Sequence, residues 1–438
     1  MTGPNPIPDA PKAPPNESTA KTVKILSIDW DKPNSFALAT YQASGGYTAL
    51  PKALKMQPQQ IVDEVVKSNL RGRGGAGFPT GMKWNFVRKE TSFPKYLVVN
   101  ADEGEPGTFK DRAIMTSSPH MFVEGLVIGC YAIDCHLTYV YCRGEFRDSA
   151  VQRLQAAIDE AKAKGYLGKN ILGNGFDLEA HVVIGAGAYI CGEETALLES
   201  LEGRKGYPRL KPPFPANAGG GLFKQPTAVN NVETLANLPV IVNLGGDEYS
   251  KIGLVPKNGG TRLFAVSGHV KKPGVVEAPM GISFKALLDD YCGGMREGST
   301  LKAIIPGGSS SAIMTAAEAD WASDFDTLKG KKTMAGSGGV VYLDQSVNMA
   351  HALANVMRFY AHESCGQCTP CREGTAWISR LLDKIVKGKG EKTDVDNVHQ
   401  IARQMEQKTI CALADGAAMP AKSYIEKFRA DFDALVRG

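Results

Sequence analysis

Three cysteines stand two residues apart in Cys365-Gly-Gln-Cys368-Thr-Pro-Cys371, and a fourth, Cys411, follows after a stretch long enough for a helix-turn-helix. Each iron of a [4Fe–4S] cube takes one thiolate, and two-residue spacers let a single short loop reach three corners of one cluster. Zinc more often joins two Cys-x2-Cys hooks on one ion; that reading, and one of plain free thiols, stay open on the spacing alone. Gly366 and Pro370 suit a backbone that wraps tightly and aims amides at sulfide. A cluster moves electrons one at a time, so an electron source must be sought elsewhere in the chain.

The second chemical feature is Arg71-Gly-Arg-Gly-Gly-Ala-Gly-Phe-Pro-Thr-Gly81. Gly72, Gly74 and Gly77 satisfy G-x-G-x-x-G, but a dinucleotide fingerprint requires a strand before it, and here a helix-patterned run precedes it. Five glycines, with Gly75 and Gly81, exceed what a turn needs. Clustered amides form a nest for phosphate, and Arg71, Arg73 and Lys83 add positive charge; the alternative is a merely flexible loop. Two carboxylate groups lie near strand ends: Asn100, Asp102, Glu103 and Glu105, then Glu193 and Glu194. They are helix caps and solvated charges, or acceptors for ribose hydroxyls. Asn231 and Thr234 offer amide and hydroxyl groups to a flavin edge. Phe78, Phe86 and Phe214 sit beside Gly or Pro in loops, where they can stack on nicotinamide or adenine or anchor the loop. No Ser/His/Asp arrangement appears, and the seven histidines show no metal spacing. His362 is expected to be exposed.

These residues need elements to position them. Strands are expected at 96–100, 137–142 and 181–184, and helices at 61–70, 120–133 and 148–164, an α/β pattern that binds ligands at the carboxyl edge of its sheet. A hairpin of 262–268 and 274–277, a helix near 283–290 and strands at 301–305 and 340–343 make a small α+β unit. Beyond 346 the pattern is helical, with apolar stripes Trp377-Ile378-Leu381-Leu382-Ile385, Val395-Val398-Ile401-Met405 and Ile425-Phe428-Phe432-Leu435. The expected division is a disordered Pro-rich tail at 1–20, an α/β domain at 21–250, the small unit at 251–345 and a helical bundle at 346–438. The chain's 438 residues exceed one core, and 43% hydrophobic with 22% charged residues suit a globular protein. A net charge of +4 argues for neither nucleic acid nor an anionic membrane surface. Cys130, Cys135, Cys142, Cys191 and Cys292 are scattered, as in a reducing compartment. No apolar run is long enough to span a bilayer, and the first residues lack the features of a signal peptide.

With these loops in view, the chain resembles the NADH-binding flavoprotein subunit of respiratory complex I, the NADH:quinone oxidoreductase; the same module serves NAD-linked hydrogenases and formate dehydrogenases. The segments that carry the resemblance are Leu70–Trp84, Asn100–Gly107, Gly185–Glu194, Arg209–Pro215, Asn230–Thr234 and the cysteine run, from about residue 45 to the C-terminus. The resemblance implies a Rossmann-like FMN- and NADH-binding domain, a ubiquitin-like β-grasp domain and a helical bundle holding a [4Fe–4S] cluster on Cys365, Cys368, Cys371 and Cys411. It places Gly72, Arg73, Gly74, Lys83, Asn100, Asp102, Tyr189, Gly192, Glu193, Asn230 and Asn231 around FMN, to which Gly75, Glu103 and Thr234 are added from the residue reading above. Phe78, Phe86 and Phe214 match the positions that sandwich NADH; Glu105, Glu194 and Lys211 match those that hold its polar groups. The Pro215–Gln225 loop is longer than the family pattern. The implied reaction passes a hydride from NADH to FMN and single electrons onward to the cluster. No general acid or base is expected; Glu105 acts by positioning. The implied partners are a thioredoxin-like [2Fe–2S] subunit and a large iron–sulfur subunit, on the cytoplasmic side of the inner membrane. The same diaphorase in a hydrogenase or formate dehydrogenase is the alternative, and a cluster-bearing scaffold without catalysis is a third.

Overall fold

The computed structural model describes residues 23–437, so the expected tail at 1–20 lies outside the described residues. The first sheet is parallel throughout: β1 (Lys95–Ala101), β2 (Cys135–Cys142), β3 (Glu179–Ile184) and β4 (Thr227–Asn231), in the order β3-β2-β1-β4. The three strands expected from the sequence are present. The fourth, β4, has no clear sequence signature, because its Thr-Ala-Val-Asn-Asn run is short and half polar. Around the sheet lie α1 (Pro58–Lys67), α2 (Thr80–Lys89), α3 (Lys110–Ser117), α4 (Pro119–Ile133), α5 (Ala150–Ala163), α6 (Glu194–Leu201) and α7 (Val232–Ala236).

Strand alternation sends side chains of β1 into two different cores. Leu97, Val99 and Ala101 face the layer built from α4 and α5, while Tyr96 and Val98 face the other side. Helix α4 is buried at every position but Tyr131, and the two polar side chains it buries, His120 and Glu124, are hydrogen-bonded. It carries Gly125 because a Cβ there would stand 2.0 Å from the Leu235 carbonyl oxygen of α7.

The small unit is a mixed sheet of β5 (Thr261–Gly268), β6 (Gly274–Pro279), β7 (Leu301–Ile305), β8 (Met314–Thr315) and β9 (Gly339–Asp344), in the order β6-β5-β9-β7-β8. The expected hairpin is there, with β5 and β6 antiparallel, and β5 runs parallel to β9. The helix expected near 283–290 is a single α turn, Phe284–Ala286, continued by a π turn at Leu287–Tyr291. The Glu277 carboxylate on β6 is buried and accepts the backbone N–H groups of Ile25, Leu26 and Ser27 at 2.8–3.1 Å. The start of the described chain is thereby strapped to the small sheet.

Four helices follow: α8 (Met349–Glu363), α9 (Thr369–Val386), α10 (Lys392–Met405) and α11 (Leu413–Asp433). Their apolar faces join Tyr96, Val98, Tyr141 and Val229 of the parallel sheet in one core. That core also takes in Leu197 and Leu198 of α6, so the bundle is joined to the sheet through a continuous apolar interior and is not an appendage. The expected stripes hold, with Ile378, Leu382, Ile385, Val395, Val398 and Phe432 buried, but Trp377 is corrected: its side chain is 51% exposed. Position 377 falls at the edge of the α9 stripe, one step round the helix from Ile378. Replacing Leu353, fully buried on α8 within this core, with Ala is expected to cost about 2–5 kcal/mol. Trp377→Ala is expected to stay within about 1 kcal/mol. Chemical denaturation of the two variants beside the parent checks both.

Candidate active site

In the order β3-β2-β1-β4 the chain steps outward from β1 in one direction to β2 and β3 and in the other to β4. A ligand crevice forms outside the carboxyl ends of parallel strands at such a switch point. These strand ends deliver Asn100 and Asp102 from β1 and Asn230 and Asn231 from β4. The loop after β3 supplies Tyr189, Gly192 and Glu193. It crosses to β1, where the Asn100 side-chain amide donates to the Gly192 carbonyl at 2.8 Å and its oxygen accepts the Asp102 N–H at 3.1 Å.

The glycine loop closes the crevice from the β4 side. Its neck is a tight antiparallel closure, with Gly72 N–H donating to the Phe78 carbonyl and Thr80 N–H to that of Leu70. Its tip rests on β4 and α7: Arg73 N–H donates to Thr234 Oγ1 at 2.9 Å, and a Cβ at Gly74 would meet the Asn231 Cβ at 3.1 Å. Gly75 needs its glycine for a backbone φ of +141°. Gly72 and Gly192 are different. Neither has positive φ, and a Cβ on either would meet nothing of the protein closer than 3.4 Å. Glycine at both, on opposite lips of one crevice, leaves room for a ligand to touch backbone, and this fits a bound mononucleotide.

The charged residues fall into two groups, one around Lys211 and one around Asp102 and Glu103. Lys83, Glu193, Glu194 and Lys211 form one: Lys211 Nζ reaches Glu194 at 2.8 Å and Glu193 at 3.2 Å, while Lys83 Nζ lies 3.9 Å from Glu194. Burial lowers the Lys83 pKa; for Glu194 burial pushes upward but the two lysines outweigh it and hold its carboxyl below the ordinary value. Glu193 also caps α6, accepting from Thr195 and Ala196 N–H. Glu103 does the same for α3, taking the N–H groups of Asp111 and Arg112 at 2.8 and 3.0 Å. The helix-cap reading of these two carboxylates is thus observed beside any contact with a ligand. Burial pushes the Glu103 carboxyl up to about 8 and that of Asp102 up to about 7. For Asp102, Arg143 opposes the shift while Glu145 and Glu363 add to it, and Oδ2 is buried without a hydrogen-bond partner.

Two expected residues face elsewhere. The Arg73 guanidinium is fully buried and donates to the carbonyls of Gly259 and Thr261 at 2.8 and 3.0 Å, behind the loop. Asn230 Oδ1 accepts the Trp84 indole N–H at 2.9 Å. Asn231 is fixed by residues not singled out in the sequence: its amide donates to Asp111 at 2.6 Å and accepts from Lys110, and Lys110 is itself buried between Asp111 and Glu233 at 2.8 Å each. The Lys-Asp-Arg run after Phe109 resembles ordinary surface charge, so its burial leaves no sign in the sequence.

Phe78, Phe86 and Phe214 are large apolar side chains exposed around this crevice, at 42%, 42% and 53%. The rings of Phe78 and Phe86 are 6.5 Å apart. Phe214 belongs to the long loop, which is held closed by Arg209 donating to the carbonyls of Gly220 and Gly221 at 3.1 Å. Glu105 is clasped: Tyr189 Oη donates to one oxygen at 2.5 Å, and Ser310 N–H and Ser309 Oγ to the other at 2.7 and 3.2 Å.

The cysteines come from three places: Cys365 after α8, Cys368 and Cys371 at the entry to α9, and Cys411 between α10 and α11. Cys371, raised by burial, has Cys365 and Cys368 beside it. Cys411, pushed up to about 12 by burial, has Cys371, Cys365 and Glu193 near it. Neighbouring thiols that are costly to ionise alone fit a site whose iron supplies the compensating positive charge. Ile410 N–H points at Cys368 Sγ at 3.4 Å, and Gly366 turns the loop at φ +79°. The cluster loop and the crevice adjoin: Tyr189 N–H donates to Glu363 Oε2 at 3.0 Å, and its ring packs on Phe359 at 5.1 Å.

A mononucleotide crevice at a switch point, adjoining a three-cysteine loop with a fourth cysteine from the α10–α11 connection, is the arrangement of an iron–sulfur flavoprotein of the electron-transfer class. Residues 65–240 match the Nuo51 FMN-binding domain, 262–343 an SLBB domain, and 351–435 the NADH-ubiquinone oxidoreductase-F iron-sulfur binding region. The second F-type subunit of the NADH-quinone oxidoreductase of Rhizobium meliloti (strain 1021) is 51% identical over 94% of this chain and 97% of its own length. The corresponding F-type subunit of Streptomyces coelicolor is 48% identical over 94% and 91%. A solved NAD+-reducing [NiFe]-hydrogenase in the H2-reduced state superposes with a TM-score of 0.83 at 32% identity, over 95% of this chain and 67% of that one. The chain belongs to the family of F-type subunits of NADH-quinone oxidoreductase, and FMN and a [4Fe–4S] cluster are its cofactors.

The Asp102 shift sets a pH trend. In the unfolded chain this carboxyl releases its proton near 3.8, in the folded chain near 7, so between those values the folded state holds the extra proton and its stability falls as pH rises. Asp102→Asn removes that penalty. Its denaturation midpoint relative to the parent is expected to be higher at about pH 8 than at about pH 5. A constant difference would contradict the burial of an unpaired carboxyl.

Proposed function

We infer that this chain is the electron-input subunit of a quinone-reducing assembly, oxidising NADH and delivering electrons to its own cluster. The observation that carries this reading is the Tyr189–Glu363 hydrogen bond at 3.0 Å, which joins the loop lining the nucleotide crevice to the segment leading into Cys365. Bound in the crevice, FMN supplies the exchange between the paired electrons of a hydride and the single electrons an iron–sulfur cluster accepts.

The residues around it position and exclude. The Gly74 and Gly75 amides at the loop tip, with Lys83, receive the phosphate; Asn100, Asp102, Asn230 and Asn231 hold the flavin edge; Tyr189, Gly192, Glu193 and Thr234 complete its walls, with Gly72, Arg73 and Glu103 shaping the loops from behind. Phe78, Phe86 and Phe214 stack the dinucleotide, and Glu105, Glu194 and Lys211 take its polar groups. The clasp on Glu105 fixes that carboxylate before substrate arrives, so less ordering is left to occur on binding. Cys365, Cys368, Cys371 and Cys411 ligate the cluster. We read 21–250 as the nucleotide-binding domain, 251–345 as a ubiquitin-like β-grasp unit and 346–438 as the cluster bundle. The partners proposed are a thioredoxin-like [2Fe–2S] subunit and a large iron–sulfur subunit. Among the described residues no helix is long and apolar enough to cross a membrane, and the proposed place is peripheral, on the cytoplasmic side of the inner membrane.

The hydrogenase reading draws on the structural match. The assignment to a quinone-reducing assembly is favoured by identity, 51% to the Rhizobium relative against 32% to the hydrogenase chain.

Cys411→Ala is expected to abolish the cluster's paramagnetic signal while NADH still bleaches the flavin absorbance. Phe78→Ala and Glu105→Gln are expected to do the reverse, keeping the cluster signal and raising KM for NADH about tenfold or more. Unchanged NADH kinetics in both would remove these residues from the site.

A further inference from the structure

The small domain touches the glycine loop at three places, and none of them follows from nucleotide binding. Arg71 extends from the loop neck to Asp326 at 3.1 Å, and its guanidinium lies 5.2 Å from the centre of the Phe325 ring. Arg73 runs back to the carbonyls of Gly259 and Thr261. Arg262, fully buried, donates to the Gly336 carbonyl, and Gly336 is the nearest neighbour of the position a Gly75 Cβ would take, at 4.0 Å. The Phe325 ring is set so close that a Cβ on Gly77 would lie 2.3 Å from it. Gly77, whose φ is +63°, is thus glycine because a phenylalanine of another domain occupies its side-chain space. The Phe325–Gly330 helix is held in turn: Asp324 caps it, and Asn258 donates to Asp326 at 3.2 Å.

We propose that the small domain is the back plate of the glycine loop, with Phe325 and Asp326 as positioning residues that set the loop's conformation and so the hold on the mononucleotide. The proposal rests on the reading that this loop receives FMN. The loop tip is a backbone ligand, and a glycine-rich backbone has too many accessible conformations to stay ordered by itself. On one side β4 and α7 supply only Thr234 and the contact with Asn231. The other side is supplied by Phe325, Asp326, Gly259, Thr261 and Gly336, and the loop is gripped between the two. The 261–344 sheet contributes none of the proposed FMN contacts, yet it fixes the geometry of those that do.

The test uses the full chain purified with its cofactors. Release of FMN after dilution is followed by the rise of free-flavin fluorescence, with the cluster's paramagnetic signal and the denaturation midpoint recorded on the same samples. Asp326 is 55% exposed, so Asp326→Arg repels Arg71 without emptying the core. It is expected to release FMN about tenfold faster, while Asp326→Glu restores the parent rate. Phe325→Leu is expected to act in the same direction as Asp326→Arg, with the cluster signal retained. Gly74→Val, which collides with Asn231, is the direct lesion of the loop. If Gly74→Val releases FMN quickly but Asp326→Arg and Phe325→Leu match the parent, the back-plate role is overturned and the loop reading stands. If all three match the parent, FMN is not held by this loop and both fall.

Discussion

Everything functional in this molecule depends on one apolar core that the C-terminal helices share with one face of the parallel sheet. Burial of Leu353, Met357 and Tyr360 with Tyr96, Val98 and Val229 brings a cysteine loop from residue 365 onward to the carboxyl edge of strands that end before residue 232. Electron transfer between two centres falls off steeply with distance, so the apolar contact is the condition for the chemistry. The polar bond from Tyr189 to Glu363 then fixes register within that contact. Apolar packing sets the approach; one directional bond sets the alignment.

The site around this junction is crowded with charges that answer one another before any ligand is considered. Lys211 and Lys83 face Glu193 and Glu194; Lys110 is enclosed by Asp111 and Glu233. The fully buried Lys110 pairs are costly to break, so their geometry is stiff. Stiffness is what hydride transfer asks of a scaffold, since the protein's part is to hold planes in contact and keep loops from relaxing around them.

Much of this is legible in the residues. The cysteine spacing, the strand ends carrying Asn100 and Asp102, and the loop phenylalanines each announce chemistry through local pattern, and three of the four parallel strands stand out as short runs rich in apolar residues. What cannot be read depends on contacts distant in sequence. β4 owes its strand character to its neighbour β1, not to its own half-polar sequence. Trp377 shares the period of its buried neighbours but lies at the edge of the covered face. Lys110 and Asp111 look like any surface charges until Glu233, more than a hundred residues later, closes over them. Arg73 has the sequence of a phosphate ligand and the position of a strut.

The strap formed where Ile25, Leu26 and Ser27 donate to Glu277 has a consequence for how the chain is made. Those two partners are separated by about 250 residues, so the N-terminal segment emerges from the ribosome long before its anchor exists. During synthesis Ile25 and Leu26 can join the core of the first sheet, while their N–H groups still lack the carboxylate that accepts them. The polar half of the strap closes only after β6 has been delivered and folded. The strap is a late closure that reports completion of the small domain, and an interruption of translation before residue 277 leaves the N–H groups of Ile25, Leu26 and Ser27 without the Glu277 carboxylate.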